Sequence, residues 1–389
     1  MKHGAGIGVP KHKGEAQRVD ACPGALGRRQ FLRLSAAAIG LTATAPLLGA
    51  CGANAAPAPS AGAPPSSLAP KPAASASAAP AGAPASGGKI EKPDLKVAIP
   101  LEALTFLPMY IVNDRTGKEQ GLNVQLLAFR GDAESAQALA GDSVDINLAS
   151  MNGLINLITA NQPVKGFYMG FYQVTFDWVA QKDIKTWDQL KGHTAGVSTY
   201  GSLTDFLTRY VLQKHGLEAT KDVQIIQSGT ADASYAALKS GKLGLAIMAA
   251  PWKWRAEDEG FTKLGSQDKE VAPEWPVHVY MAKTKFMDQY PNTMLALLKA
   301  HVNAIRLAKS DKAYTMKVLN DRIKATADTA ARMYDEVIGG YNERGTPPEK
   351  SMPTFWKIMV EGKFVTEPWP ESKYLDPRFI NTFDQWAPK

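Results

Sequence analysis

From Leu95 onward, short apolar runs alternate with amphipathic stretches, the pattern of parallel sheets whose strands are joined by crossover helices. Leu95–Pro100, Leu122–Phe129, Asp145–Ala149 and Val164–Tyr172 read as strands of one sheet, and residues 106–118, 133–141 and 151–161 between them carry helical periodicity. A second series begins after Asp183. Its strands are Thr194–Ser198, Val223–Gln227 and Leu243–Ala249, with helices over 202–215 and 232–240. Pro276–Ala282 is a further strand, and from Pro291 a helical layer takes over, with Met294, Leu297, Leu298, His301, Val302 and Ile305 on one face.

Two chain crossings, near Phe176–Gln181 and near Val277–Met281, join the two series if the C-terminal part packs back on the first sheet. The prediction is an α/β protein of two lobes on a two-strand hinge: lobe 1 over 93–180, lobe 2 over 181–275, and a return to lobe 1 with C-terminal helices over 276–389. Small ligands bind in such clefts, at the carboxyl ends of strands and the amino ends of the helices that follow.

The first ninety residues have a different character. Arg28-Arg29-Gln30-Phe31-Leu32-Arg33 precedes an Ala/Leu-rich stretch, Leu34 to Leu48, which is too short for a stable membrane span and fits an export signal. The paired arginines look like a twin-arginine signal, and Leu48-Gly49-Ala50-Cys51 resembles a lipobox, so residues 1–50 are expected to be a signal peptide and Cys51 the lipidated residue. Residues 52–88 contain only Ala, Pro, Ser and Gly apart from Asn54, Leu68 and Lys71. Such a segment cannot bury enough apolar surface to order itself, so 51–92 reads as a tether between a lipid anchor and the folded body.

Composition agrees with a globular body: 389 residues, 45% hydrophobic and 21% charged. Of the net charge of +7, the first fifty residues contribute +5, and the remainder is too nearly neutral for the basic field of nucleic-acid binding. Cys22 and Cys51 both precede the body, which excludes a disulfide framework, a Cys-based metal site and a cysteine nucleophile there.

Enzyme motifs are mostly absent. His193, His215, His278 and His301 do not pair at metal-ligand spacing, and no phosphate loop, dinucleotide fingerprint or nucleophile elbow occurs. Ser266-Gln267-Asp268-Lys269 matches Ser-x-x-Lys, but without the companion motifs of penicillin-recognising enzymes. What the body offers is strand-to-helix junctions rich in small and hydroxyl residues: Gly131-Asp132, Ala149-Ser150-Met151-Asn152, and Ser198-Thr199-Tyr200-Gly201-Ser202. Helix amino ends carry unpaired N–H donors and partial positive charge, and so hold anionic or polar groups without an arginine. The alternative for Ser150 and Ser202 is simple N-capping. Phe106, Tyr110, Trp178, Tyr200, Trp252 and Trp254 cluster near the same places, with core packing as the alternative, and Glu102, Asp132 and Asp205 are acids that could pair with a ligand amine.

The order of motifs resembles a family. Leu95–Pro100, Gly117–Val124 and Ala138–Ile146 are similar to the first lobe of substrate-binding proteins of ABC importers, of the nitrate/sulfonate/taurine type related to thiamine-pyrimidine-precursor binders. Ile184–Val197 and Ala236–Ala246 resemble the second lobe, although Leu243-Gly244 stands where an acidic residue is common. The resemblance implies a type II periplasmic-binding-protein fold, with ligand contacts at Leu104, Thr105 and Phe106, at Ser150, Met151 and Asn152, at Thr199, Tyr200, Gly201 and Ser202, and at Trp252. It implies a monomeric extracytoplasmic receptor, not an enzyme and without cofactor or metal, that binds a small organic or inorganic anion and delivers it to a permease and its ATPase. An extracytoplasmic enzyme or ligand sensor on the same fold, acting on a heterocycle, is the alternative.

Overall fold

The computed structural model describes residues 88–389, so the signal, Cys51 and most of the tether lie outside the described residues. Two five-stranded sheets carry the body. The first has the order β2-β1-β3-β10-β4, from β1 (Asp94–Ile99), β2 (Asn123–Ala128), β3 (Ile146–Ala149), β4 (Val164–Gln173) and β10 (Glu274–Lys283). The second has the order β7-β6-β8-β5-β9, from β5 (Asp177–Ala180), β6 (Thr194–Val197), β7 (Gln224–Gln227), β8 (Leu245–Met248) and β9 (Thr262–Ser266). Within each sheet the first three strands in that order run parallel, and the last two add antiparallel pairings.

The central strands are short and mostly apolar, as expected where helices cover both faces: β3, β5 and β8 are buried at every position, including Asn147 in β3 and Asp177 in β5. The crossover helices that periodicity predicts over 106–118, 133–141, 151–161, 202–215 and 232–240 are present to within a residue or two at their starts. In the first lobe these are α1 (Leu107–Ile111), α2 (Gly117–Glu119) beyond a π-turn, α3 (Asp132–Ala140) and α4 (Met151–Thr159). In the second they are α5 (Leu203–Lys214), α6 (Ala231–Lys239), α7 (Trp252–Asp258) and the short α8 (Gln267–Glu270), of which α7 and α8 are absent from the sequence reading. After α9 (Thr284–Gln289), the twenty-residue α10 (Pro291–Ser310) starts with proline at its first position, where the missing N–H has no consequence. All six residues of its predicted apolar face are buried, and α11 (Lys312–Ile323) and α12 (Ala327–Val337) follow.

Two strands differ from the sequence reading. Residues 177–180, read as a crossing, form β5 inside the second sheet, because Trp178 and Val179 are wholly buried there and β5 pairs antiparallel with β8. The edge strand β9 is half-polar, Thr-Lys-Leu-Gly-Ser, and carries no strand signature of its own. Val277–Met281 lie within the ten-residue β10, which runs antiparallel to both β3 and β4.

Large side chains fill the first lobe, among them Tyr110, Phe167, Tyr168, Phe171 and Tyr280, each worth about 1.5–3 kcal/mol of burial. His278 and His301 are buried among them. Phe106 stacks on His278 at 4.2 Å, and Tyr280 Oη lies 2.7 Å from His301 Nδ1. Burial pushes both imidazoles down to about 3, and for His278 the neighbouring His301 adds to it.

Two polar clamps tie distant segments together. Glu91 accepts the Asn292 N–H at 3.1 Å and the Thr293 N–H at 2.9 Å, capping α10 from some two hundred residues away. Burial opposes the charge, but bonds from Thr293 and Asn292 outweigh it and hold the Glu91 carboxyl below its ordinary value. At the β4–β5 crossing, Lys253 of α7, only 7% exposed, donates to the Thr175 carbonyl at 2.9 Å and to Glu336 of α12 at 2.6 Å. It stands 3.9 Å from Asp177, which also accepts from Lys263 at 2.8 Å.

Two outcomes follow from these buried groups. Lys253→Met leaves the buried Asp177 and the half-buried Glu336 with fewer partners and should lower the unfolding free energy in urea by about 3 kcal/mol, whereas Lys263→Met, at the rim, should cost about 1 kcal/mol or less. The unfolded chain protonates its histidines near the ordinary value of 6.5, while the native His278 and His301 resist down to about 3. Their contribution is therefore constant above pH 6.5 and is lost as pH falls below it, by up to about 1.4 kcal/mol per pH unit for each. Urea midpoints measured from pH 8 to 4.5 should fall less steeply in His301→Gln than in the natural chain.

Candidate functional site

All six parallel strands point their carboxyl ends at one cleft between the sheets. β1 delivers Pro100 to Phe106, β2 leads to Asp132, β3 to Ser150, β6 to Ser198, β7 to Gly229, and β8 to Ala249-Ala250-Pro251-Trp252. Thr175 and Phe176 close the cleft at the crossing, and Val277 and His278 of β10 form its floor. The space within the cleft, which is partly open to solvent, is about 80 Å³, enough for roughly six waters or a ligand of comparable size.

Of the residues predicted to contact ligand, Thr105, Phe106, Ser150 and Trp252 line this space. Leu104 is buried beneath it, and Tyr341 Oη donates to its carbonyl at 3.3 Å. Met151 enters the core, and Asn152 turns away from the cleft to accept the Trp275 indole N–H at 3.3 Å. Thr199, Tyr200, Gly201 and Ser202 form the turn ahead of α5 rather than the wall. Tyr200 is 48% exposed, with its N–H on Gln227 and its hydroxyl on the Ile225 carbonyl. Gly201, at φ +76°, gives its N–H to Asp205 at 2.8 Å. Ser202 is buried, caps α5, and joins Ser198 and Thr204 in a ring of hydroxyls 2.8–2.9 Å apart. Ser150 both lines the cleft and caps α4 by accepting the Gly153 N–H at 3.2 Å, so its two alternatives coincide.

The other aromatics divide similarly. Tyr110 is buried, and its hydroxyl both receives the Ala103 N–H and donates to the Ala103 carbonyl at 2.9 Å, which fixes the loop after β1. Trp178 is core, with its N–H on Thr208. Trp252 lines the cleft under the Arg255 guanidinium, 4.7 Å from its ring, while Trp254 packs against Arg332 on another face.

Several lining residues carried no sequence signal: Thr175 and Phe176 lie in a connection, and His278 is one alternating position of a buried strand. Among the described residues, no lysine or arginine lines the cleft. Its charged groups are two acids, Glu102 at the rim and Asp132, which is buried. Burial pushes the Asp132 carboxyl up, against the pull of bonds from Leu203 and Ser150. Positive potential in the cleft is therefore that of helix amino ends and backbone N–H groups. α6 is notable among them, since Thr230 makes no side-chain cap there and Gly229 and Ala231 line the cleft.

Comparison with known proteins agrees with this architecture. The candidate binding protein YtlA of Bacillus subtilis (strain 168) is 26% identical over 241 residues, 60% of this chain and 71% of that protein. A solved structure from Bordetella bronchiseptica RB50 superposes with a TM-score of 0.67 at 22% identity, covering 77% of this chain and 99% of the other. The alkanesulfonate-binding protein SsuA from Xanthomonas axonopodis pv. citri, solved bound to MOPS, gives a TM-score of 0.61 at 14% identity, over 74% of this chain and 100% of the other. The fold is the type II periplasmic-binding-protein fold, two α/β lobes about a cleft. The NMT1-like family matches residues 89–320, well over half of the chain, and the protein belongs to that family.

Proposed function

We propose that this protein is the extracytoplasmic solute-binding receptor of an ABC importer, taking up a small organic or inorganic anion of the sulfonate, nitrate or carboxylate kind and handing it to a permease and its ATPase. The observation that carries this reading is the cleft itself: six strand ends and several helix amino ends converge on a small space lined by backbone N–H groups and hydroxyls and by no lysine or arginine among the described residues. Family membership and the alkanesulfonate-binding relative support it. The protein binds its solute without turnover, and closure of the lobes on the ligand supplies the form that a permease recognises.

In this reading Thr105, Phe106, Ser150 and Trp252 touch the ligand, while Leu104, Met151, Asn152 and Thr199 to Ser202 hold the contacting turns in place. Export by the Arg28-Arg29 signal and lipidation of Cys51 keep a monomeric body beside the membrane that holds its permease.

A ligand that binds only the native state must raise the melting midpoint. Thermal-shift screening against nitrate, bicarbonate, alkyl and aromatic sulfonates, aromatic carboxylates and pyrimidines should give a concentration-dependent rise for an anion class; a rise for pyrimidines alone would overturn the anion reading. Trp252→Ala should then weaken calorimetric affinity for that ligand by about 30-fold, or ~2 kcal/mol, and Tyr200→Ala by no more than about threefold, since Tyr200 lies off the cleft wall.

A further inference from the structure

Asp132 opens α3 in the first lobe and is 5% exposed. Its Oδ1 accepts the Ser150 N–H, at the cap of α4, at 3.1 Å. Its Oδ2 accepts the Leu203 N–H, at the first residue of α5 in the second lobe, at 2.9 Å. One carboxylate thus occupies the amino ends of a helix from each lobe, the position where an anion is most favoured. Neighbouring contacts close the same seam. Gly131 lies so close to Ser198 and Thr199 of the second lobe that a Cβ would overlap both side chains, and Asn156 Nδ2 donates to the Gly201 carbonyl at 2.8 Å.

We propose that Asp132 is a resident anion and the specificity-determining residue of the cleft: it straps the lobes together without ligand and restricts the ligand to anions of a single charge. The inference rests on the solute-receptor reading and deepens it. The physical reason is that Asp132 removes the donors at Ser150 and Leu203 from the ligand's reach while leaving its own charge beside the ligand. Glu102 adds a second negative group, and among the described residues no lysine or arginine lines the cleft to offset them, while burial keeps the lining His278 uncharged near neutral pH. Repulsion grows in proportion to ligand charge, so a dianion such as sulfate is disfavoured about twice as strongly in energy as a sulfonate in the same place. Removing the carboxylate frees two N–H donors that an incoming anion can use and takes away the repulsion.

The test has two arms on the full chain. The first needs no ligand. Spin labels at Gln137→Cys on α3 and Ala236→Cys on α6, in a chain carrying Cys22→Ser and Cys51→Ser, report the separation of the lobes. The natural Asp132 should give one short distance population, and Asp132→Ala a longer or broadened one; superimposable distributions would overturn the strap. The second arm measures methanesulfonate and sulfate affinities by calorimetry near neutral pH. The natural chain should prefer methanesulfonate by at least about tenfold, and Asp132→Asn, which keeps the shape and loses the charge, should narrow that preference to about threefold or less. A preference that does not move in Asp132→Asn would overturn the role in specificity, and melting curves of both variants separate this from loss of fold. If the natural chain binds neither anion, the charge restriction falls, whereas the anion reading stands or falls with the thermal-shift screen and the label distances decide the strap.

Discussion

The antiparallel pairing of β4 with β10 is the constraint on which the architecture depends. β4 is the last strand of the first sheet before the chain leaves for the second lobe, and β10 is the strand by which it returns. Because these two long strands lie side by side, the departure at residues 174–176 and the return at 271–273 are held close together, and the second lobe is an insertion on two adjacent stems. The buried Lys253 sits at one stem, bonded to Thr175 and Glu336, so the pivot is made of charge pairs rather than of interchangeable apolar contacts. Ion pairs shielded from water act over short distances and depend on direction.

The cleft shows how a fold can gather positive potential without basic side chains. Parallel strands all end on the same side of a sheet, so their following helices start there, and the fold collects amino-terminal partial charges in one place. The charged side chains of the cleft are the carboxylates of Glu102 and Asp132. Asp132 and Glu91 play related parts at different places: each is an acid whose oxygens satisfy helix-end N–H groups far away in the chain, Leu203 for one and Asn292 and Thr293 for the other.

Most of the strand and helix order was legible because its cause is local. Four-residue apolar runs bounded by turns mark central parallel strands, and the periodicity of α10 named its buried face residue by residue. β9 was hidden because an edge strand needs no apolar pattern, and β5 because its run, Asp177 to Ala180, follows a connection and pairs with a strand far along the chain. The site was half legible for a related reason. Junctions rich in Ser, Thr and Gly locate helix starts, but which member of a junction faces the cleft is set by the twist of the turn. Ser150 faces it, while Asn152, two residues on, serves Trp275. Lys253 and His278 were beyond sequence reasoning, since their roles come from partners that only the fold brings near: Glu336 for the lysine, Phe106 for the histidine.

The Glu91 clamp has a mechanical consequence. A chain that enters a domain directly through a strand passes any tension straight into its sheet, where hydrogen bonds can unzip one at a time. Here the polypeptide meets α10 first: Glu91 grips Asn292 and Thr293 through several bonds made at once, and the neighbouring Lys92 N–H adds another to Thr293 Oγ1, before β1 begins at Asp94. A pull from the upstream side therefore meets this set of bonds before it reaches the strand. The binding lobes are in this way insulated from forces exerted through the segment that precedes them.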